Sequence, residues 1–313
     1  MPLDLTLITD QVPTLTPLQG LGIPVALVGA VFLALGAQFQ HRGVGKVEER
    51  LGGQVSGLSV VQLRALFTRP SWLIGTLMLG LAVVLQLISL YLAPLIVVQP
   101  LGAVALVITA LVNARVTGVK LDRLTIRAIA LCVGGVAIFV TIAAFVAREE
   151  EITDSQLITV LVILVSVLIV AAILFRILRK RLKALVYIVA AGVLYGFVAT
   201  LAKVVINRVV TGNFDLLTMT CVVALLAATV LGAYFVQSAY ASGPPDLVIA
   251  GLTVIDPLVA VAIGIVVLGE ASGAPWFAII AFVVAGVMAI YGVFELSKHH
   301  PQTRESTFNT RLG

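Results

Sequence analysis

Charge is what this sequence has least of. Only 11% of its 313 residues are Asp, Glu, Lys or Arg, where a soluble domain carries roughly 25%. A water-facing surface cannot be assembled from so few charges, so a soluble globular protein is excluded and lipid must cover most of the exterior. Cysteine is almost missing too. Cys132 and Cys221 both fall in apolar runs, which argues for small buried hydrophobes and against a disulfide framework or a metal-binding spacing. The three histidines stand at the end of a run (His41) or in the tail (His299 and His300), where solvated side chains are expected rather than a metal site. The first twenty residues hold Asp4 and Asp10 but no Lys or Arg, so the basic segment of a cleaved signal peptide is lacking. The stretch Gly52-Gly53-Gln54-Val55-Ser56-Gly57 follows no strand, so it is not read as a phosphate loop. With no catalytic triad arrangement, no metal-ligand cluster and no large loop to hold a substrate, the expectation is a protein that is not an enzyme and carries no cofactor.

What the chain has instead is apolar length. Hydrophobic residues make up 60% of it, and mean hydropathy is +1.15. A helix needs about 20 apolar residues to cross the hydrocarbon core. Runs of that kind lie at about 21–39, 71–92, 93–115, 124–147, 156–177, 185–208, 216–239, 245–269 and 275–296. The expected fold is therefore an all-α membrane protein of nine transmembrane helices. The sequence around Ser59-Val60-Val61-Gln62-Leu63-Arg64-Ala65-Leu66-Phe67 reads equally as an interfacial amphipathic stretch or a plain connector. The polar tail from about 297 is expected to be disordered.

Loop charges set the expected orientation. With the N-terminus outside, 17 of the 20 Lys and Arg residues fall in cytoplasmic loops or the tail, and only Arg148, Lys203 and Arg208 remain for the other side. The acidic run Glu149-Glu150-Glu151 and Asp154 lies on that other side as well. Such a bias predicts an N-out, C-in protein with an odd number of spans. The basic pI near 9.4 is thus a topology signal, and no nucleic-acid partner is expected.

The two halves resemble each other. Gly29-Ala30-Val31-Phe32-Leu33-Ala34-Leu35-Gly36 in the first run parallels Gly192-Val193-Leu194-Tyr195-Gly196-Phe197-Val198-Ala199 in the sixth. Ser89-Leu90-Tyr91-Leu92-Ala93-Pro94 parallels Ser238-Ala239-Tyr240-Ala241-Ser242-Gly243-Pro244-Pro245, and Val98-Gln99-Pro100 parallels Ile255-Asp256-Pro257. Gly134-Gly135 parallels Ala285-Gly286. An odd linking helix between two four-helix units turns the second unit over, so the expectation is an inverted-topology repeat. The segments are then an extracytoplasmic 1–20, a first repeat 21–147, a linking helix with its loops 148–184, a second repeat 185–296 and a cytoplasmic tail 297–313.

One acid lies deep in a run. Asp256 is near the bilayer centre, where a charge costs about 2.5–3.5 kcal/mol on insertion scales and normally faces a cavity or a partner. Pro257 follows it, and proline lacks the amide proton that the carbonyl four residues back would accept. Asp then Pro also reads as an N-cap and first helical residue. The expectation is a helix broken at the midplane with Asp256 as an anionic ligand, and Gln99-Pro100 as a neutral counterpart. Structural capping of the kink is the competing reading. Other polar groups within the runs include Gln38, Gln86, Tyr91, Asn113, Tyr195, Thr200, Lys203, Gln237 and Tyr240. Lys203 is expected to snorkel to the interface on its long stem, and Glu270 to be a solvated helix end. Close helix approach is expected at Gly75, Gly80, Gly134, Gly135, Gly286 and Gly292.

The stretch Leu90-Tyr91-Leu92-Ala93-Pro94-Leu95-Ile96-Val97-Val98-Gln99-Pro100-Leu101-Gly102-Ala103 resembles the third-helix signature of NIPA-type magnesium transporters. These belong to the drug/metabolite transporter superfamily, with the EamA-like permeases. Pro257 followed by Leu268-Gly269-Glu270 resembles the second-half pattern of EamA-like repeats, while Val119 stands where the first repeat usually has glutamate. Gln40-His41-Arg42 replaces the lysine-rich end common after the first helix. The resemblance implies an alternating-access secondary transporter of Mg2+ or another cation. Its substrate site would be drawn from Asp256, Gln99, Pro100, Pro257, Tyr195, Lys203 and Gln38, with Asp256 as the metal ligand. Alternatives are an exporter or flippase of a small metabolite, drug or lipid-linked substrate, and a non-transporting accessory subunit of envelope synthesis. The expected partners are the bilayer, a small solute or ion such as Mg2+ or H+, and a second copy in a homodimer. The expected location is a bacterial inner membrane.

Overall fold

The computed structural model describes residues 15–50, 66–118, 122–148, 151–178 and 184–298. Among them every regular element is helical. A short turn, Pro17–Gly20, leads into α1 (Gly22–Arg50). It is followed by α2 (Pro70–Leu92). Next comes α3, a composite of Leu95–Val98, a 3-10 turn Gln99–Gly102 and Ala103–Thr117. The remaining helices are α4 (Arg123–Val146), α5 (Asp154–Leu178), α6 (Ala184–Val210), α7 (Leu216–Ser242), α8 (Pro245–Val266) and α9 (Trp276–Lys298). Nine of the described helices are long and apolar enough to cross a membrane, the number expected from the apolar runs. Helices are the solution because lipid offers no hydrogen bonds, so each segment must satisfy its own backbone.

Local chemistry sets the ends. Asp122 caps α4 by accepting from the Thr125 amide at 2.8 Å. Asp215 caps α7, accepting from the amide and the hydroxyl of Thr218 at 2.8 and 2.7 Å. Gly118 and Gly269 end α3 and the turn after α8 with φ of +68° and +73°, where a Cβ would be strained. The first helix runs past the apolar stretch to Arg50. Of the stretch 59–67, only Leu66 and Phe67 lie among the described residues, where the Phe67 ring meets Trp72 edge-on at 5.0 Å. The tail from 299 lies outside them.

The helices pair in a defined way. α1 packs on α2 and α3, α6 packs on α7 and α8, and α4 packs on α9. α8 also meets α3 and α9, whereas α5 lies against the flank of α6 and α7. The α1–α2 seam is built on glycines every seven residues: Gly22, Gly29, Gly36 and Gly43. A Cβ on Gly29 would stand 3.3 Å from Leu85, and one on Gly36 would stand 3.0 Å from the Gly75 carbonyl. Small residues matter here because apolar helices gain nothing from mutual burial in lipid, so close van der Waals approach must hold them. Of the six glycines flagged in the sequence, Gly75, Gly135 and Gly292 lie in such seams. Gly80 and Gly286 face open space, and Gly134 meets only Met288. A glycine's identity does not tell which side of its helix finds a neighbour.

Two outcomes follow. Gly75→Leu should cost about 1–3 kcal/mol by overpacking, because a Cβ there already stands 2.6 Å from the Gln40 amide. Gly80→Leu should leave the thermal unfolding midpoint in detergent unchanged. The hydrogen bonds from Thr218 hold the exposed Asp215 carboxyl below its ordinary pKa of 3.8. A carboxyl lowered on folding stabilises the protein above its ordinary pKa and loses that contribution as pH falls through the lowered value. The stability difference between the protein and Asp215→Ala should therefore be full at pH 7 and shrink below pH 3.8, read from unfolding midpoints across pH.

Candidate functional site

Asp256 stands midway along the apolar span Leu247–Val266. The expected break at Asp256-Pro257 is not there: α8 is continuous from Pro245 to Val266 with Pro257 inside it. A single missing amide is tolerated when neighbouring helices hold the turn, and α6 does so here. Gly192 and Gly196 let α8 approach until its backbone reaches them, with the Asp256 carbonyl 3.0 Å from where a Gly196 Cβ would be. The counterpart Gln99-Pro100 is where the helix changes, tightening into the 3-10 turn Gln99–Gly102.

The Asp256 side chain is drawn in by the same approach. Its Oδ1 is buried and has no hydrogen-bond partner. Most buried polar atoms are paired, and an orphaned one demands an explanation. Tyr195, on α6, lies within electrostatic reach of it. The Tyr195 ring packs at 3.3 Å from where a Gly232 Cβ would stand, so it bridges α8 and α7. Pro100 and Pro257 meet at a different feature, a cavity of about 310 Å³ whose lining includes Phe139, Thr253, Phe282 and Gly286. Its walls come from α3, α4, α8 and α9 and are almost wholly apolar. The amide that the Thr253 carbonyl would accept from is the one Pro257 lacks. Gln99 is buried beside Pro100, and Gln38 is half-buried on α1 and does not line this cavity. The expected set thus divides into Asp256 with Tyr195, at the contact of α8 with α6, and a proline-lined cavity beside it.

Lys203 and Glu270 are where the structure overturns the expectations. Lys203 does not snorkel and Glu270 is not solvated: they are 4% and 3% exposed. The Glu270 carboxylate accepts from the Leu95 amide at 2.8 Å and from the Ile96 amide at 2.9 Å. The Lys203 ammonium donates to the Ala93 carbonyl at 2.8 Å and the Leu90 carbonyl at 3.3 Å. The two charges lie 3.8 Å apart. Together they satisfy both sides of the α2–α3 junction, where Pro94 interrupts the helix and the chain is fully buried. The geometry suits the backbone, since an ammonium belongs at a helix C-terminus and a carboxylate at an N-terminus. The signal was present in the sequence as a lone lysine within a run, an acid after Leu-Gly, and a proline break. Nothing local joins them, because the contacts cross 110 and 175 residues.

The turn carrying Glu270 is itself held. Its amide donates to the Gly264 carbonyl at 2.9 Å, and its carbonyl accepts from the Arg148 amide at 2.7 Å. Gln156 donates to the Leu268 carbonyl at 3.3 Å. A Cβ on Gly264 would lie 2.8 Å from the Glu270 carboxylate, so only glycine leaves that space. Arg208, buried at the end of α6, pairs with Asp154 at the start of α5. The three basic residues left over by the loop-charge bias are thus engaged with this end of the bundle.

Removing one partner of a buried pair costs about 3–5 kcal/mol because the other charge is left uncompensated. Lys203→Met and Glu270→Gln should each lower the unfolding midpoint in detergent, and the double variant should lose less than the sum.

Neither a protein-family model nor a solved structure matches the chain. The chain is similar to an uncharacterised protein of Corynebacterium glutamicum, 28% identical over 279 residues that span 89% of this chain and 95% of that one. The nine apolar helices mark the chain as a multi-pass membrane protein.

Proposed function

We propose that this protein is an alternating-access secondary transporter of the drug/metabolite transporter type, close to the NIPA-like and EamA-like branches. The observation that carries the reading is Asp256, half-buried at mid-span with one carboxylate oxygen buried and unpartnered. A charge so placed is expensive and marks a solute or proton pathway by default. The helix pairing supports an inverted repeat: α1 with α2 and α3 is matched by α6 with α7 and α8, while α4 meets α9 and α3 meets α8. In that arrangement Asp256 and Gln99 are counterparts on two pseudo-equivalent helices, close to where the halves meet. The loop-charge bias supports an N-out, C-in placement in a bacterial inner membrane.

The donor set bears on the substrate. Magnesium keeps much of its water and is held through one or two carboxylates. Asp256 offers one, and no group of three His, Cys, Asp or Glu comes together among the described residues. A monovalent or protonatable solute, or proton exchange at Asp256, suits that site better than a caged divalent ion. The apolar cavity lined by Pro100 and Pro257 favours a second reading, an exporter of an amphiphilic metabolite or lipid-linked substrate.

The test is uptake into liposomes with purified protein, after a thermal-shift screen against divalent cations, organic amines, amino acids and polyprenyl lipids has chosen the solute. Asp256→Asn should cut uptake at least tenfold with expression and unfolding midpoint retained. Unchanged uptake in that variant would remove Asp256 from the site. A protein that moves no member of the panel would favour an accessory subunit.

A further inference from the structure

We propose that Lys203 and Glu270 form a latch that holds the two halves of the bundle closed at the α2–α3 end, and that releasing it opens the interior to that side of the membrane. The junction they hold is a gap in backbone hydrogen bonding. Ala93 is extended, with φ −138° and ψ 157°, so α2 ends in unpaired carbonyls and α3 begins in unpaired amides. Ala93, Leu95, Ile96, Val97 and Val98 are all 0% exposed, so water cannot fill the gap. Lys203 on α6 and Glu270 after α8 fill it, and both come from the other half of the chain.

Three features make this a two-state contact rather than a rivet. Each charge is stabilised by the other and by one helix end, so neither can leave alone without stranding its partner in a dry site. Glu270 rides on a tight turn, shaped by Gly269 and tied to Arg148 and Gln156, so the carboxylate and the turn form one unit. The device is also one-sided in sequence. Gly118 repeats the positive-φ turn of Gly269, but Val119 follows it where Glu270 follows Gly269. The glutamate therefore stands in the sequence after the second of these glycines and not the first, at the end that the loop-charge bias places outside.

The use of the latch rests on the transport reading, but its existence can be read without transport. Val97, fully buried beneath the junction, becomes the reporter as Val97→Cys in a chain whose two buried cysteines, Cys132 and Cys221, are changed to Ala. Labelling by a membrane-impermeant maleimide is followed in right-side-out and inside-out vesicles, with no solute added. The latched protein should label slowly from both sides. Glu270→Gln and Lys203→Met should raise the rate at least tenfold from one side only, and Lys203→Arg, which keeps the charge, should stay slow. The exchanged pair, Lys203→Glu with Glu270→Lys, should not restore protection, because each charge would then face a helix end of its own sign. Unchanged labelling in both single variants would overturn the latch. So would an equal rise from both sides with loss of monodisperse elution, which is unfolding, or protection restored by the exchanged pair, which is a plain ion pair. Because labelling is read without a solute, transport that survives Asp256→Asn would sink the site assignment and leave the latch standing.

Discussion

Satisfying backbone polar groups in a dry environment is the constraint from which this structure follows. Within each helix the chain does so alone. At Pro94 it cannot, and the junction between α2 and α3 sits where no water reaches it. An unpaired buried amide or carbonyl costs roughly 1–3 kcal/mol, and several are at stake in one short stretch. The solution is a pair of charges delivered from 110 and 175 residues away. The halves of the molecule are thereby tied to one another at the place where the first half is weakest.

Two acids meet opposite fates in this fold. Glu270 has its carboxylate paired with two backbone amides and an ammonium, so its charge is compensated in place. Asp256 has a buried oxygen with no partner. Gly192 and Gly196 bring α6 against that very turn of α8. On the transport reading, that oxygen is where a solute or a proton would be held. That is the reason the transport reading is anchored there and the latch at Glu270.

The fold was largely legible from the sequence, and the site only partly. Nine apolar runs and a lopsided distribution of Lys and Arg suffice for the spans, because the bilayer reads length and hydropathy residue by residue. Asp256 was legible because a lone carboxylate in the middle of such a run is costly wherever the helix goes. Lys203 and Glu270 were misread as a snorkelling side chain and a wet helix end, because both lie near the ends of runs. Whether the end of a run is wet depends on what covers it, which no local pattern records. The helix at Pro257 was misread for the same reason: proline removes an amide, but the packing of α6 decides whether the turn gives way.

What the sequence determined by itself is the solvent and the secondary structure: too little charge for water, and apolar lengths that only spanning helices can use. The heptad glycines of α1 and the left-handed turns at Gly118 and Gly269 were likewise written into the chain, since only glycine meets those demands without strain. Tertiary structure alone decided which glycines touch, that Pro257 would bend no break into α8, and that Lys203 and Glu270 would leave the surface for the α2–α3 junction. The physical reason is range. Hydropathy and backbone sterics act within a turn or two, whereas a buried charge finds its partner only after the helices that carry both have packed.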